Sequence, residues 1–156
     1  MQCLKWSADH NAVCVPAIDE DHQTIFRLAD EVYQFMEQGA LLSTVEPGLR
    51  DLIDHTVSHF SHEERLMRSM RYPAYAWHKG QHDTVRAKVA DLQRRVQKGD
   101  REAVLPALDF LTAWLQTHTA VSDRMMGAFL RTQGFARGFG CSKSRPGDTV
   151  VDEPQP

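Results

Sequence analysis

Long apolar runs are missing from this sequence. No stretch approaches the ~20 residues a membrane-spanning helix needs, so a helical membrane protein is excluded. The N-terminal stretch MQCLKWSADHNAVCVPAIDEDH has no basic start followed by an apolar segment, so no secretory leader is expected. Cysteine is scarce and odd in number. Cys3, Cys14 and Cys141 show no CxxC spacing, which argues against a cysteine zinc site and for free thiols in a reduced, cytoplasmic setting. Cys3 and Cys14 are close enough in sequence to pair, but nothing else there suggests it. Charge of one sign is also lacking. Eighteen basic residues face 21 acidic ones, a net charge of -3 without a basic block, which argues against nucleic acid and against an electrostatic membrane anchor. Strand signals, internal repeats and an interdomain linker are likewise absent.

What remains is helical periodicity, which appears four times. A first helix is expected over about 21–38, with Ile25, Leu28, Ala29, Val32 and Met36 on one stripe and Gly39 as a stop. A second runs from about 44 or 47 to 70, with Leu52, Ile53, Thr56, Phe60, Leu66 and Met67 inward. Pro73 then biases Tyr72 away from helix. A third helix over about 74–98 carries Val85, Val89, Leu92 and Val96 at heptad-like spacing. The fourth, over about 102–131, turns Leu108, Leu111, Leu115, Met125 and Phe129 inward, with Pro106 near its first turn. Four long helices with short turns predict an all-α, antiparallel up-down-up-down four-helix bundle spanning 1–134. Residues 1–18 are expected to be an irregular arm packed on the bundle through Trp6, Val13, Val15 and Ile18. Residues 135–156, rich in glycine, proline and polar residues, read as a mobile tail.

The stripes carry more than apolar residues. His22 falls three residues before Ile25, and His59 and Glu63 continue the second stripe. His78 and His82 begin the third, and His118 extends the fourth. The pairs His59/Glu63 and His78/His82, at i and i+4, each aim two donors from one helical face. Asp123 is the outlier: five residues past His118 is about 140° round an ideal helix, the edge of the seam. Leaving five imidazoles and two carboxylates in an apolar core without partners would cost roughly 1–3 kcal/mol per group, and more for a charge. Two cations bridged by two carboxylates satisfy them together. Imidazole and carboxylate donors suit iron, and five histidines exceed the needs of one tetrahedral zinc.

The pattern His22…His59-x-x-x-Glu63…His78-x-x-x-His82…His118-x-x-x-x-Asp123 resembles the hemerythrins, particularly the bacterial single-domain kind. KWSADHNAVCVPAIDEDHQTIF, HFSHEERLMRSMRYPAYAWHKGQH and FLTAWLQTHTAVSD carry the resemblance over about residues 5–131. It implies a non-haem centre of two iron ions, with an oxo or hydroxo bridge, that binds dioxygen reversibly. His78, His82 and His118 would complete one iron. His22 and His59 would hold the other and leave it one open position, and Glu63 and Asp123 would bridge. Phe60, Trp114, Leu115 and Thr119 match the wall of the dioxygen pocket. Thr119 departs from the bulky aliphatic residue usual there, so its hydroxyl is expected to admit water or donate to a bound ligand, giving faster autoxidation or more peroxidase-like reactivity.

The function implied is an oxygen carrier, store or delivery protein, not an enzyme, since the five-histidine set leaves one open site. Carboxylate-rich di-iron oxidases use more acids. The alternatives are reactivity toward peroxide, nitric oxide or ferrous iron, or sensing in which the arm or tail signals a protein partner. Other histidines are expected to stand outside the site: His55 and His62 on the surface, and His10 in the arm without a partner. Met67, Met70, Met125 and Met126 are expected to be core or near-core, and Glu64 to be solvated.

Overall fold

The structure, a computed structural model, describes residues 6–135. Six helices follow in order: α1 (Ala8–Asn11), α2 (Pro16–Glu37), α3 (Leu42–Ser69), α4 (Tyr75–Gln97), α5 (Val104–His118) and α6 (Arg124–Thr132). A π-helical segment, Thr119–Asp123, joins α5 to α6 into one continuous column. Four long columns, α2, α3, α4 and α5–α6, therefore reverse at short turns and pack as a bundle. Among the described residues, no helix is long and apolar enough to cross a membrane.

Local sequence explains most boundaries. α2 starts at Pro16, five residues before the expected position, because proline at the first helical position sacrifices no bonded N–H. Asp19 secures that start by accepting from the Val13 amide at 2.8 Å. α3 ends where Arg71 takes a left-handed φ of 54°. Asp100 opens the fourth column by accepting from the Ala103 amide at 3.2 Å, ahead of a 3-10 turn, Arg101–Ala103.

The core divides into two. The larger part joins α2, α3, α4 and α5 through residues such as Ile25, Val32, Leu52, Phe60, Val89, Leu108 and Leu115. The smaller part, Val13, Val15, Ile18, Met67, Tyr72, Met126 and Leu130, ties the N-terminal arm to the opposite end. The arm is not irregular throughout: α1 is one helical turn, and Arg124 donates to the His10 carbonyl at 2.9 Å. Arg131 donates to the Val13 carbonyl. Phe135, in the expected tail, bonds to the Leu130 carbonyl at 3.0 Å and packs on this smaller core. The rest of that tail, with Cys141, lies outside the described residues.

Two expectations need correction here. Met125 is exposed and Met126 is buried instead, because the π segment spends one extra residue on its turn and shifts everything downstream by one. Cys14 is disulfide-bonded, not a free thiol; it sits at a left-handed φ of 61° in the turn between α1 and α2.

Candidate metal centre

Each long column places at least one donor at the same depth of the bundle. Buried together are His22 from α2, His59 and Glu63 from α3, His78 and His82 from α4, His118 from α5 and Asp123 from the π segment. Their donor atoms fall into two groups, each within 4.8 Å: Glu63, His78, His82, His118 and Asp123 in one, and His22, His59, Glu63 and Asp123 in the other. Both carboxylates belong to both groups.

Asp123 gets there through the π segment. An i→i+5 winding brings a residue five positions on back toward the same face, where an α-helix would carry it past. Asp123 Oδ1 lies 3.0 Å from His118 Nε2 and 3.1 Å from His78 Nε2, and Oδ2 lies 3.1 Å from His22 Nε2. Glu63 stands opposite, its Oε2 3.2 Å from His82 Nε2 and 3.4 Å from His78 Nε2, its Oε1 3.6 Å from His59 Nε2.

These short distances are not ordinary hydrogen bonds. Both oxygens of Glu63 and of Asp123, both nitrogens of His22, and His59 Nε2 are buried without hydrogen-bond geometry to any partner. His82 and His78 each bring Nε2 to 3.1 Å from His118 Nε2. Such lone-pair donors converge on common points instead of on each other, as ligands of a cation do. Without a metal, protons supply the missing positive charge. Burial opposes an imidazolium at His78, but the nearby carboxylates of Asp123 and Glu63 overcome it and lift the group to about 9. His59 is likewise raised against its burial, by Glu63, Asp21 and Asp123. His82 is lowered, by burial first and then by repulsion from His78 and His118. Burial pushes the carboxyls of Glu63 and Asp123 up, and Asp123 adds repulsion at Glu63, yet the surrounding histidines hold both below the usual range.

Residues 15–130 match the family model of the hemerythrin HHE cation binding domain. The bacteriohemerythrin of Methylococcus capsulatus is 31% identical over 130 residues, covering 83% of this chain and 98% of that protein. The bacteriohemerythrin of Stenotrophomonas maltophilia is 32% identical over 127 residues, 80% of this chain and 79% of its own. A wild-type hemerythrin crystal structure is similar at a TM-score of 0.78 and 30% identity, covering 83% of this chain and 98% of that one. This chain belongs to the hemerythrin family.

The family's cofactor is a di-iron centre, and the buried donors of this hemerythrin fit it in number, type and orientation. Around them lies a second layer that sequence reasoning largely missed. Glu64 is buried rather than solvated, with Oε1 3.1 Å from His82 Nδ1. His62 is half-buried, its Nδ1 2.9 Å from Asp21 Oδ2, and the same oxygen lies 3.5 Å from His59 Nδ1. Burial would raise the Asp21 carboxyl, but these two histidines lower it. Gln81 Oε1 is 2.9 Å from His118 Nδ1 and accepts from Ser122 Oγ at 2.9 Å. The available clue was position: Asp21, Glu64 and Gln81 each stand next to a ligand candidate in sequence. His55, as expected, is exposed, its Nδ1 3.0 Å from the Asp51 carbonyl oxygen, and His10 is exposed in the arm.

Of the expected pocket residues, Phe60, Leu115 and Thr119 are buried and Trp114 is partly so. Phe60 stacks on His82 at 4.1 Å, and Trp114 stacks on His118 at 4.1 Å. Thr119 does not aim its hydroxyl hydrogen at a ligand. It donates to the Gln116 carbonyl at 3.3 Å and accepts from Asn11 Nδ2 at 3.1 Å, because the helical backbone and the arm both reach it first.

Proposed function

We propose that this hemerythrin binds dioxygen reversibly at its di-iron centre as a carrier, store or delivery protein, without turning over a substrate. The observation that supports it is the uneven sharing of donors: three histidines on one side, two on the other, and both carboxylates common to the two. His78, His82 and His118 with the two acids would hold one iron, and His22 and His59 with the same acids would hold the other with fewer protein donors. Two irons held there would supply the reversible redox chemistry that dioxygen binding needs.

The chain's own part is to hold that pair and keep it dry. Glu63 and Asp123 would be donors to both irons, and their complete burial keeps bulk water from the carboxylates. Phe60, Trp114, Leu115 and Thr119 would wall the dioxygen site and limit water and proton entry. Iron-loaded protein, reduced anaerobically and exposed to dioxygen, is expected to develop a ligand-to-iron charge-transfer band that disappears on deoxygenation over repeated cycles. A single irreversible conversion to the oxidised form would instead indicate peroxide- or nitric-oxide-type reactivity.

One contact favours a second reading, oxygen sensing. Asn11 of the arm bonds directly to Thr119 in the wall, so a change at the wall has a path to the arm and to a protein partner. Sensing predicts different hydrogen exchange over residues 8–13 in the oxygenated and deoxygenated forms; a carrier predicts none.

A further inference from the structure

Four side chains, two from each of two neighbouring helices, close a ring beside the three-histidine group. Phe60 and Glu64 sit one turn apart on α3, and His82 and Arg86 one turn apart on α4. The Phe60 and His82 rings are nearly parallel, 9° apart with centroids at 4.1 Å. His82 Nδ1 is 3.1 Å from Glu64 Oε1, and Arg86 donates to that same oxygen at 2.7 Å. The Arg86 guanidinium then lies 5.4 Å from the Phe60 ring centroid. Arg86, a planar cation, thus touches the same two groups as His82, the Glu64 carboxylate and the Phe60 ring, from the outer side of the ring.

We propose that Arg86 is a positioning residue for the metal centre: it fixes the plane of His82 through Glu64 and the place of Phe60 through its own stacking face. The proposal rests on the reading of the buried cluster as a metal site. The bland alternative is a surface ion pair, which contributes only ~0–1 kcal/mol. Two features argue against it. Glu64 is 8% exposed and Arg86 26%, so the pair is largely desolvated. Arg86 also donates to the exposed Asp83 Oδ1 at 3.0 Å, yet its guanidinium still lies over Phe60, a contact a surface ion pair has no need to make. Carboxylates and their partners behind a ligating histidine set its orientation and basicity, and losing them typically costs 10–100-fold in metal affinity.

The test is cobalt(II) titration of metal-free native, Arg86→Gln, Arg86→Lys and Glu64→Gln protein, followed through visible absorption, with reduction potentials of the iron-loaded forms. Arg86→Gln is expected to weaken cobalt binding about tenfold and to shift the potential negative, since the Glu64 carboxylate no longer shares its charge with a cation. Arg86→Lys restores the potential but not the affinity, because an ammonium balances Glu64 without stacking on Phe60. Glu64→Gln shifts the potential the opposite way. Unchanged affinity and potential in Arg86→Gln, with native protein binding two cobalt ions, would overturn the positioning role alone. Should Arg86→Gln fail to fold, Arg86→Lys with native affinity overturns it equally. Native protein that binds no cobalt would overturn both this proposal and the metal-site reading.

Discussion

His78 shows how the site behaves before metal arrives. Asp123 and Glu63 hold its imidazole near 9 against the effect of burial, so the metal-free protein keeps a proton there at neutral pH. A free imidazole in the unfolded chain titrates near 6.5. The stability His78 adds is therefore complete below about 6.5 and lost as pH rises through about 9. Glu63 and Asp123, both lowered, act at the other end: their contribution is lost as pH falls below the ordinary carboxylate range. Urea unfolding of metal-free protein is thus expected to show a lower midpoint at pH 9 than at pH 6.5, and iron loading should flatten that difference. A metal-free midpoint that rises toward pH 9 would contradict it. On the two-histidine side, Asp21→Asn removes the carboxylate behind His59, with an expected loss of about tenfold in cobalt affinity. At this scale six of the seven buried donors were legible because each sits on an apolar stripe, whereas Asp123, at the seam's edge by α-helical spacing, was legible only through the family resemblance. The sequence concealed Glu64 and Asp21, since an acid beside a ligand looks solvated until the neighbouring helix is in place.

At the scale of the element, the π segment decides the fourth column. The stripe Leu108, Leu111, Leu115 and His118 was legible from an α-helical period, but its continuation to Met125 was not. Single-sequence periodicity assumes a constant turn, and Thr119–Asp123 breaks it by one residue. The same break brings Asp123, Met126 and Leu130 to the inner face, all buried. Inserting one alanine between Val121 and Ser122 should rotate everything downstream by about 100°. Asp123 would then leave the cluster and Met126 the core, with a cost on the order of 3 kcal/mol. Thermal unfolding together with iron analysis checks this; an insertion variant with native melting temperature and full iron content would contradict it.

For the whole molecule, the arm and the metal close the bundle from two sides. Gly127 on α6 lies against the arm so closely that an added Cβ would meet the Val13 carbonyl oxygen at 2.6 Å. Gly127→Ala is expected to destabilise by about 1–3 kcal/mol through displacement of the arm, visible as a lower melting temperature in metal-free protein. Metal acts from inside. Each occupied site at a thousandfold excess over its dissociation constant adds about 4 kcal/mol, so two sites should raise the melting temperature by roughly 15 °C or more. The bundle itself was legible from four amphipathic stripes and short turns. The arm was not, because its anchors, Arg124 and Arg131 on backbone carbonyls and Asn11 on Thr119, are polar contacts far apart in sequence. Two cation sites sharing the buried carboxylates Glu63 and Asp123 are the core of this metal centre, and native mass spectrometry of protein reconstituted with ferrous iron counts the metals they hold. Two irons per folded chain, falling below two when Asp123 is replaced by alanine, is the result predicted. One iron or none on the folded native chain would contradict it.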